Sequence, residues 1–337
     1  MAVCLLAITD PGCEASTRYR VTQFEPYLLQ RQIHLRIVAW PRLEAEQQAL
    51  VESAAEADVV LFQRYLPSRR WLREVRRRVR RLVYDFDDAV IYFESSRRQP
   101  RLMLDRWWRF QAMMRHCDAV SAGNSYLASL AQRYAQAGRV SVVPTTLEWE
   151  RYEDEPGPHE AAPVVGWIGT RSTLPYLERL RRALEQVSVE TGELTVRVIA
   201  DQAPDLGKTR VELIRWEAAT EVRELKRLRA GLAPLPDDAW TRGKCGLRLL
   251  QYLAAGVPAV ASPVGTQAQV IAAGAALSAC TEADWHEALR RLLEDESLAG
   301  DVAARGKQLV REQFSTQAWA ERLCACCCGS LNHGDTQ

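Results

Sequence analysis

Two successive series of short apolar runs, each run separated from the next by an amphipathic stretch, constrain this 337-residue chain more than any other feature. In the first half the apolar runs fall at 2–9, 35–39, 58–62, 82–86, 118–122 and 140–143, and the amphipathic stretches at 17–32, 43–57, 68–80, 102–116 and 125–136. Parallel strands need a crossover long enough to hold a helix, so a regular strand–helix–strand succession predicts βαβ units. The second half repeats the scheme at 164–169, 194–200, 211–215, 231–235 and 259–262 and closes in helices between 282 and 323. Between the series lie Pro156, Gly157, Pro158 and Pro163, in a charged segment that reads as a linker. The expected fold is α/β, with two Rossmann-like parallel-sheet domains facing a central cleft. Their expected extents are 1–145 for the first domain, 146–163 for the linker, 164–314 for the second domain and 315–337 for a C-terminal helix and tail.

Composition agrees with two ordinary cores, since 47% of the residues are hydrophobic and domains of about 150 residues are the common size. No apolar run approaches the roughly 18–20 residues that cross a bilayer, and residues 1–10 lack a basic leader and a cleavage site. Nine cysteines, an odd number without a secretion signal, indicate reduced thiols and a cytoplasmic setting. Cys324, Cys326, Cys327 and Cys328, with only His333 nearby, lack zinc-ligand spacing and read as structural thiols at a helix end. Charge divides along the domain boundary. Residues 1–150 carry 22 arginines and no lysine against 17 acidic residues, whereas the remainder carries 22 basic against 26 acidic. The excess lies between Arg69 and Arg81, on a helix whose apolar seam is Leu72, Val75, Val79 and Leu82. Such a helix is either a solvated outer face or a contact with an anionic membrane surface, with Trp107 and Trp108 as interfacial anchors. Nucleic acid is not an expected partner, because no aromatic-interleaved recognition motif accompanies the arginines.

Residues 243–265, GKCGLRLLQYLAAGVPAVASPVG, join a basic glycine turn to a helix and then to a buried strand. A helix that opens on glycines presents unpaired N–H groups and the positive end of its dipole, and Lys244 adds a full charge there. With a short strand just upstream, the turn falls at the C-terminal end of a strand, where open α/β sheets bind ligands. This segment resembles the retaining nucleotide-sugar glycosyltransferases of the GT-B fold, family 4, through the stretch from Tyr252 to Ser262. Where that family carries the two glutamates of its E-x7-E signature, this chain has Gly243 and Gln251, within a TRGKCGxxLLQY pattern that looks like a branch of the same family. The resemblance implies a donor-phosphate site at Lys244, Cys245, Gly246 and Leu247, and a ribose contact at Gln251.

Further candidate residues follow on both sides of the expected cleft. Gly166 to Ser172 is no dinucleotide fingerprint, but it resembles the family's loop under the diphosphate, with Gly169, Thr170 and Arg171 as contacts. After the first strand, the turn at Gly12 and an expected N-cap at Ser16 or Thr17 resemble the loop facing the donor phosphates, with Arg18 and Arg20 on the acceptor side. Tyr84-Asp85-Phe86-Asp87-Asp88 puts three carboxylates in four positions, a costly arrangement unless it is used. Asp87 and Asp88 are the expected catalytic residues, orienting hydroxyls. Asn124 is expected to cap a helix and to face the acceptor. The segment Asp85-Phe86-Asp87 also spells the D-x-D of metal-dependent GT-A enzymes, but the two-series pattern opposes that fold.

The resulting expectation is a glycosyltransferase that moves a sugar from a nucleotide-sugar donor to a glycan, lipid-linked or small-molecule acceptor with retained configuration. It needs no metal or cofactor, works in polysaccharide, glycolipid or cell-envelope glycan synthesis, and is cytoplasmic, peripheral to the inner face of the membrane. The competing expectations are a non-catalytic sugar-nucleotide-binding or scaffold protein and a sugar-nucleotide epimerase.

Overall fold

The computed structural model describes residues 2–95, 99–153, 163–192 and 194–329. Six strands, β1 (Val3–Thr9), β2 (Ile33–Ala39), β3 (Val59–Gln63), β4 (Arg81–Phe86), β5 (Ala119–Ala122) and β6 (Val140–Val142), form one sheet in the order β2-β1-β3-β4-β5-β6. Six more, β7 (Val164–Ile168), β8 (Thr195–Ile199), β9 (Arg210–Ile214), β10 (Ala230–Ala233), β11 (Ala259–Ala261) and β12 (Leu277–Ser278), form the second in the order β12-β11-β10-β7-β8-β9. Every pairing between these strands is parallel. Parallel sheets are covered on both faces, so their central strands are largely apolar. In the first sheet, Leu6, Ile8, Val60, Phe62, Leu82 and Tyr84 pack toward the helices Arg69–Arg78 and Leu104–His116. Their neighbours Leu5, Ala7, Val59, Leu61 and Val83 pack on the opposite face, as the two-residue period of a strand requires.

Two crossings tie the lobes together. Leu147 is buried and its N–H donates to Phe314 O at 2.8 Å, while Thr316 N–H donates to Leu147 O at 2.9 Å. The start of the expected linker is therefore packed structure, including the buried Tyr152; residues 154–162 lie outside the described residues. The helix Thr316–Cys328, capped by Ser315, returns to the first lobe and lays Leu323, Cys324, Cys326, Cys327 and Cys328 against the underside of its sheet. Burial pushes the Cys326 thiol up to about 12, so these cysteines are inert packing groups. His333 lies outside the described residues.

Several elements differ from expectation for identifiable reasons. The stretch 17–32 is broken into Glu14–Arg20, a 3-10 turn at Thr22–Phe24 and Glu25–Leu29, with Pro26 starting the last piece because its missing N–H is harmless there. Ser16 and Thr17 thus lie inside the first helix, whose N-cap position is Cys13, and cap nothing. The two-residue β12 is too short to produce a readable pattern. The arginine helix is not a bare cationic face. Arg70 pairs with Glu44, Arg76 with Asp118, Arg77 and Arg78 with Glu74, and Arg80 with Asp58, while Arg81 donates to the Cys326 and Cys327 carbonyls. Trp107 donates its indole N–H to Tyr134, and only Trp108 is largely exposed.

Arg20, expected at the acceptor side, is instead a buried structural residue. Its guanidinium pairs with both oxygens of the buried Asp85 and donates to Val143 O at 2.6 Å and to Ser121 Oγ at 3.1 Å. Removing one partner leaves an uncompensated buried charge. Arg20→Met should cost ~3–5 kcal/mol in denaturant unfolding, and adding Asp85→Leu should recover most of that loss. A single variant as stable as wild type would contradict this assignment.

Candidate active site

Chain order reverses between β1 and β3 in the first sheet and between β7 and β10 in the second. At such switch points the following loops leave on opposite faces, and a crevice opens beyond the C-terminal strand ends. The loops brought together there are 10–13 and 64–68 from the first lobe and 169–173 and 234–246 from the second, with 87–89 beside them.

In the second lobe a 3-10 turn, Thr241–Gly243, leads into Lys244, and Gly246 adopts φ +74° before the helix Leu247–Ala254. The turn is rigid because Asp238 Oδ1 accepts from the N–H groups of Trp240 and Thr241, each at 2.9 Å. Leu250 makes the bond to Gly246 O, so the N–H groups of Leu247, Arg248 and Leu249 stand at the open end of the helix. Lys244 Nζ lies 2.9 Å from Asp88 Oδ1 of the first lobe and 4.5 Å from the Trp240 ring centre, with a quarter (25%) of its side chain exposed.

Close approach of the lobes explains the glycine at position 243. A Cβ there would lie 2.7 Å from the backbone N of Ala89, so the glutamate of the resembled family cannot be accommodated at this seam. Cys245 Sγ donates to Asp87 O at 3.2 Å, filling the space left by the missing side chain of Gly123. Asn124 caps the helix Ser125–Gln132 by accepting from Leu127 N at 2.9 Å, and its amide group donates to Arg242 O and Lys244 O, both at 3.2 Å. Both amide hydrogens are committed to the seam, which corrects the expectation that Asn124 faces an acceptor.

Asp87 and Asp88, adjacent in sequence, sit in different electrostatic settings. Burial opposes ionisation of Asp88, but Arg64 at 2.5 Å and Lys244 hold its carboxyl below the usual carboxylate range. Asp87 is pushed above that range by burial and then by the Asp88 charge, with Arg64, Arg20 and a hydrogen bond from Ser16 acting the other way. Sequence reasoning missed Arg64 because a lone arginine after a strand belongs to no motif. Its backbone is left-handed, with φ +64°, a costly state for a side-chain-bearing residue. The state is fixed by Arg64 N–H donating to Asp85 O at 2.7 Å and Tyr84 Oη donating to Arg64 O at 3.0 Å.

The remaining candidates divide. Gly12 is exposed at φ +78°, and Arg18 is half-buried over the Tyr19 ring at 5.1 Å. Thr170 and Arg171 are exposed on the loop after β7, beside the half-buried Gly169. Arg248, unnoticed in the sequence, lies against this loop, stacked on Trp167 at 4.5 Å, donating to Ile168 O and to Thr173 Oγ1 at 3.1 Å. Desolvation pulls its pKa down. Gln251 is buried, and its amide donates to Tyr19 Oη of the first lobe at 3.1 Å; Tyr19 in turn donates to the buried Glu221 at 3.2 Å. In this arrangement a tyrosine hydroxyl, rather than open cleft, faces Gln251. Among the described residues, no group of three or more His, Cys, Asp or Glu side chains is placed to hold a metal ion.

A family model described as glycosyl transferase-like matches residues 179–325. No curated protein matches the sequence. Among solved structures, Anabaena HepE in complex with UDP and glucose superposes with a TM-score of 0.69 at 14% identity, covering 95% of this chain and 98% of that one. WaaG, a glycosyltransferase involved in lipopolysaccharide biosynthesis, gives a TM-score of 0.69 at 14% identity over 97% of this chain and 100% of its own. A UDP-forming trehalose-phosphate synthase from Burkholderia xenovorans gives 0.62 at 13% identity over 97% and 98%. The chain therefore has the GT-B fold. Its second lobe, in addition, carries the glycosyl transferase-like match.

Restoring the resembled glutamate should damage this seam. Gly243→Glu forces a side chain into Ala89, and overpacking of this kind costs ~1–3 kcal/mol. We expect a lower melting temperature and a larger radius of gyration by X-ray scattering; a variant unchanged in both would contradict the close approach.

Proposed function

We propose that this protein transfers a sugar from a nucleotide-sugar donor to an acceptor hydroxyl. The observation that carries the reading is the position of Lys244, at a helix-opening glycine turn and 2.9 Å from a carboxylate of the opposite lobe. In the free protein Asp88 is the counter-ion of this lysine. A donor diphosphate competes with Asp88 for the same charge, between Lys244 to Leu247 on one side and Gly169, Thr170 and Arg171 on the other. Gly12 approaches from the first lobe, and the half-buried Arg248 supplies a second cation. Gln251 takes a ribose hydroxyl once Tyr19 is displaced.

Breaking the sugar–phosphate bond develops negative charge on the leaving phosphate, and preorganised cations with helix N–H groups stabilise that charge without reorganising. Fixed charges then do the work of a metal ion. The family 4 resemblance adds retention of configuration, with the departing phosphate taking the acceptor proton and Asp87 and Asp88 orienting hydroxyls. UDP is the first nucleotide to test, because HepE is bound to it. Arg18 remains the acceptor-side cation of this reading.

The acceptor belongs, on the same reading, to polysaccharide, glycolipid or cell-envelope glycan synthesis, and the protein to the cytoplasm, peripheral to the inner face of the membrane. The side turned to an anionic surface is the exposed pair Leu104 and Trp108, with Arg69 stacked 5.4 Å from the Trp108 ring, rather than the paired arginines beyond it. No helix among the described residues is long and apolar enough to cross a membrane.

Lys244→Ala removes a charge-assisted contact of ~1.5–3 kcal/mol, so transfer should slow about ten- to hundredfold in steady-state assays. Unchanged transfer would refute the role. In a thermal-shift panel, the true donor at about 100 times its Kd should add about 2.7 kcal/mol of stability, and a panel of nucleotide sugars without any shift would count against the reading.

A further inference from the structure

We propose that Ser16 and Gln63 are positioning residues that fix the Asp87 carboxylate so that its Oδ1 is left to accept a hydrogen bond from a sugar hydroxyl in the cleft. The inference rests on the glycosyl-transfer reading and adds to it the atoms that orient the carboxylate.

Gln63 ends β3 and is wholly buried. Thr17 Oγ1 donates to its Oε1 at 3.4 Å, which turns Nε2 toward Ser16 Oγ, 2.8 Å away. An amide nitrogen only donates, and a serine hydroxyl has a single hydrogen. Ser16 therefore accepts from Gln63 and gives its hydrogen to Asp87 Oδ2 at 2.7 Å. The relay runs in one direction, from β3 through the first helix to the loop after β4.

The other oxygen is left over. Asp87 Oδ1 is buried and has no hydrogen-bond partner, and Arg64 at 3.9 Å is beyond hydrogen-bond reach. An orphan acceptor of this kind is expensive, and here it stands beside the switch point of the first sheet, where a ligand would meet it. Asp88 is not equivalent, since Arg64 takes one of its oxygens and Lys244 the other. Of the two adjacent carboxylates, Asp88 is the counter-ion and Asp87 has the unpartnered oxygen.

The groups facing Asp87 are Asp88 and Arg64 beside it, Arg20 from the first helix, and the thiols of Cys13 and Cys245. Both thiols stay protonated, burial pushing Cys13 up to about 11 and Cys245 higher still. The Ser16 bond lowers the Asp87 pKa, so its loss raises it further and delays ionisation to higher pH.

The test measures transfer against pH for wild type, Ser16→Ala and Ser16→Thr. Ser16→Ala should lower kcat about tenfold, leave the donor KM within about twofold, and move the acidic limb of the profile to higher pH. Ser16→Thr keeps the hydroxyl and should restore both. Wild-type transfer matched by Ser16→Ala in kcat and profile would overturn the inference alone, as would equal impairment of the alanine and threonine variants. A wild type that binds nucleotide yet transfers no sugar to any acceptor would overturn the transfer reading, and the inference with it.

Discussion

The molecule turns on a contact between two loops that belong to different lobes: the turn at 243–245 resting on the loop at 87–89. Steric and electrostatic demands meet there. Gly243 has no side chain because Ala89 occupies the space, and Cys245 fits because Gly123 leaves room for it. Lys244 then reaches a carboxylate that already has a cation of its own, Arg64. The result is an alternating row of charges, Arg64, Asp88 and Lys244, across the cleft. An anion entering this row meets a lysine whose counter-ion can remain neutralised by Arg64, so the exchange leaves no carboxylate unpaired.

The rest of the architecture holds that row in register. Asn124 binds the carbonyls of Arg242 and Lys244 while capping a first-lobe helix, which couples the turn to the first sheet. Tyr19 crosses in the other direction and packs within the second-lobe core, between Gln251 and Glu221. The terminal helix returns beneath the first sheet after pairing with Leu147 at the crossing. These three contacts tie the two lobes to one another.

Much of the fold was legible in the sequence because parallel strands in a covered sheet are mostly apolar runs, and 11 of the 12 strands among the described residues lie within two residues of the expected runs. What was illegible depended on distant partners. Arg18 and Arg20 look alike in the sequence, yet Arg20 is claimed by Asp85, 65 residues away. Arg64 and Arg248 carry no motif, and their significance arises only when folding places them beside Asp88 and Trp167. The ion-pair partners of the arginine-rich helix were illegible for the same reason, since Glu44, Asp58 and Asp118 come from other segments to meet it. The turn around Lys244 was readable because glycine, lysine and helix start are consecutive. Its contact with the other lobe was not.

The most direct test of the central claim is calorimetric titration of wild type and Lys244→Ala with UDP and UMP, which differ only in the second phosphate. If Lys244 exchanges Asp88 for the diphosphate, wild type should prefer UDP by about tenfold or more, and the variant should bind the two nucleotides nearly alike. An equal preference for UDP in both proteins would contradict the account.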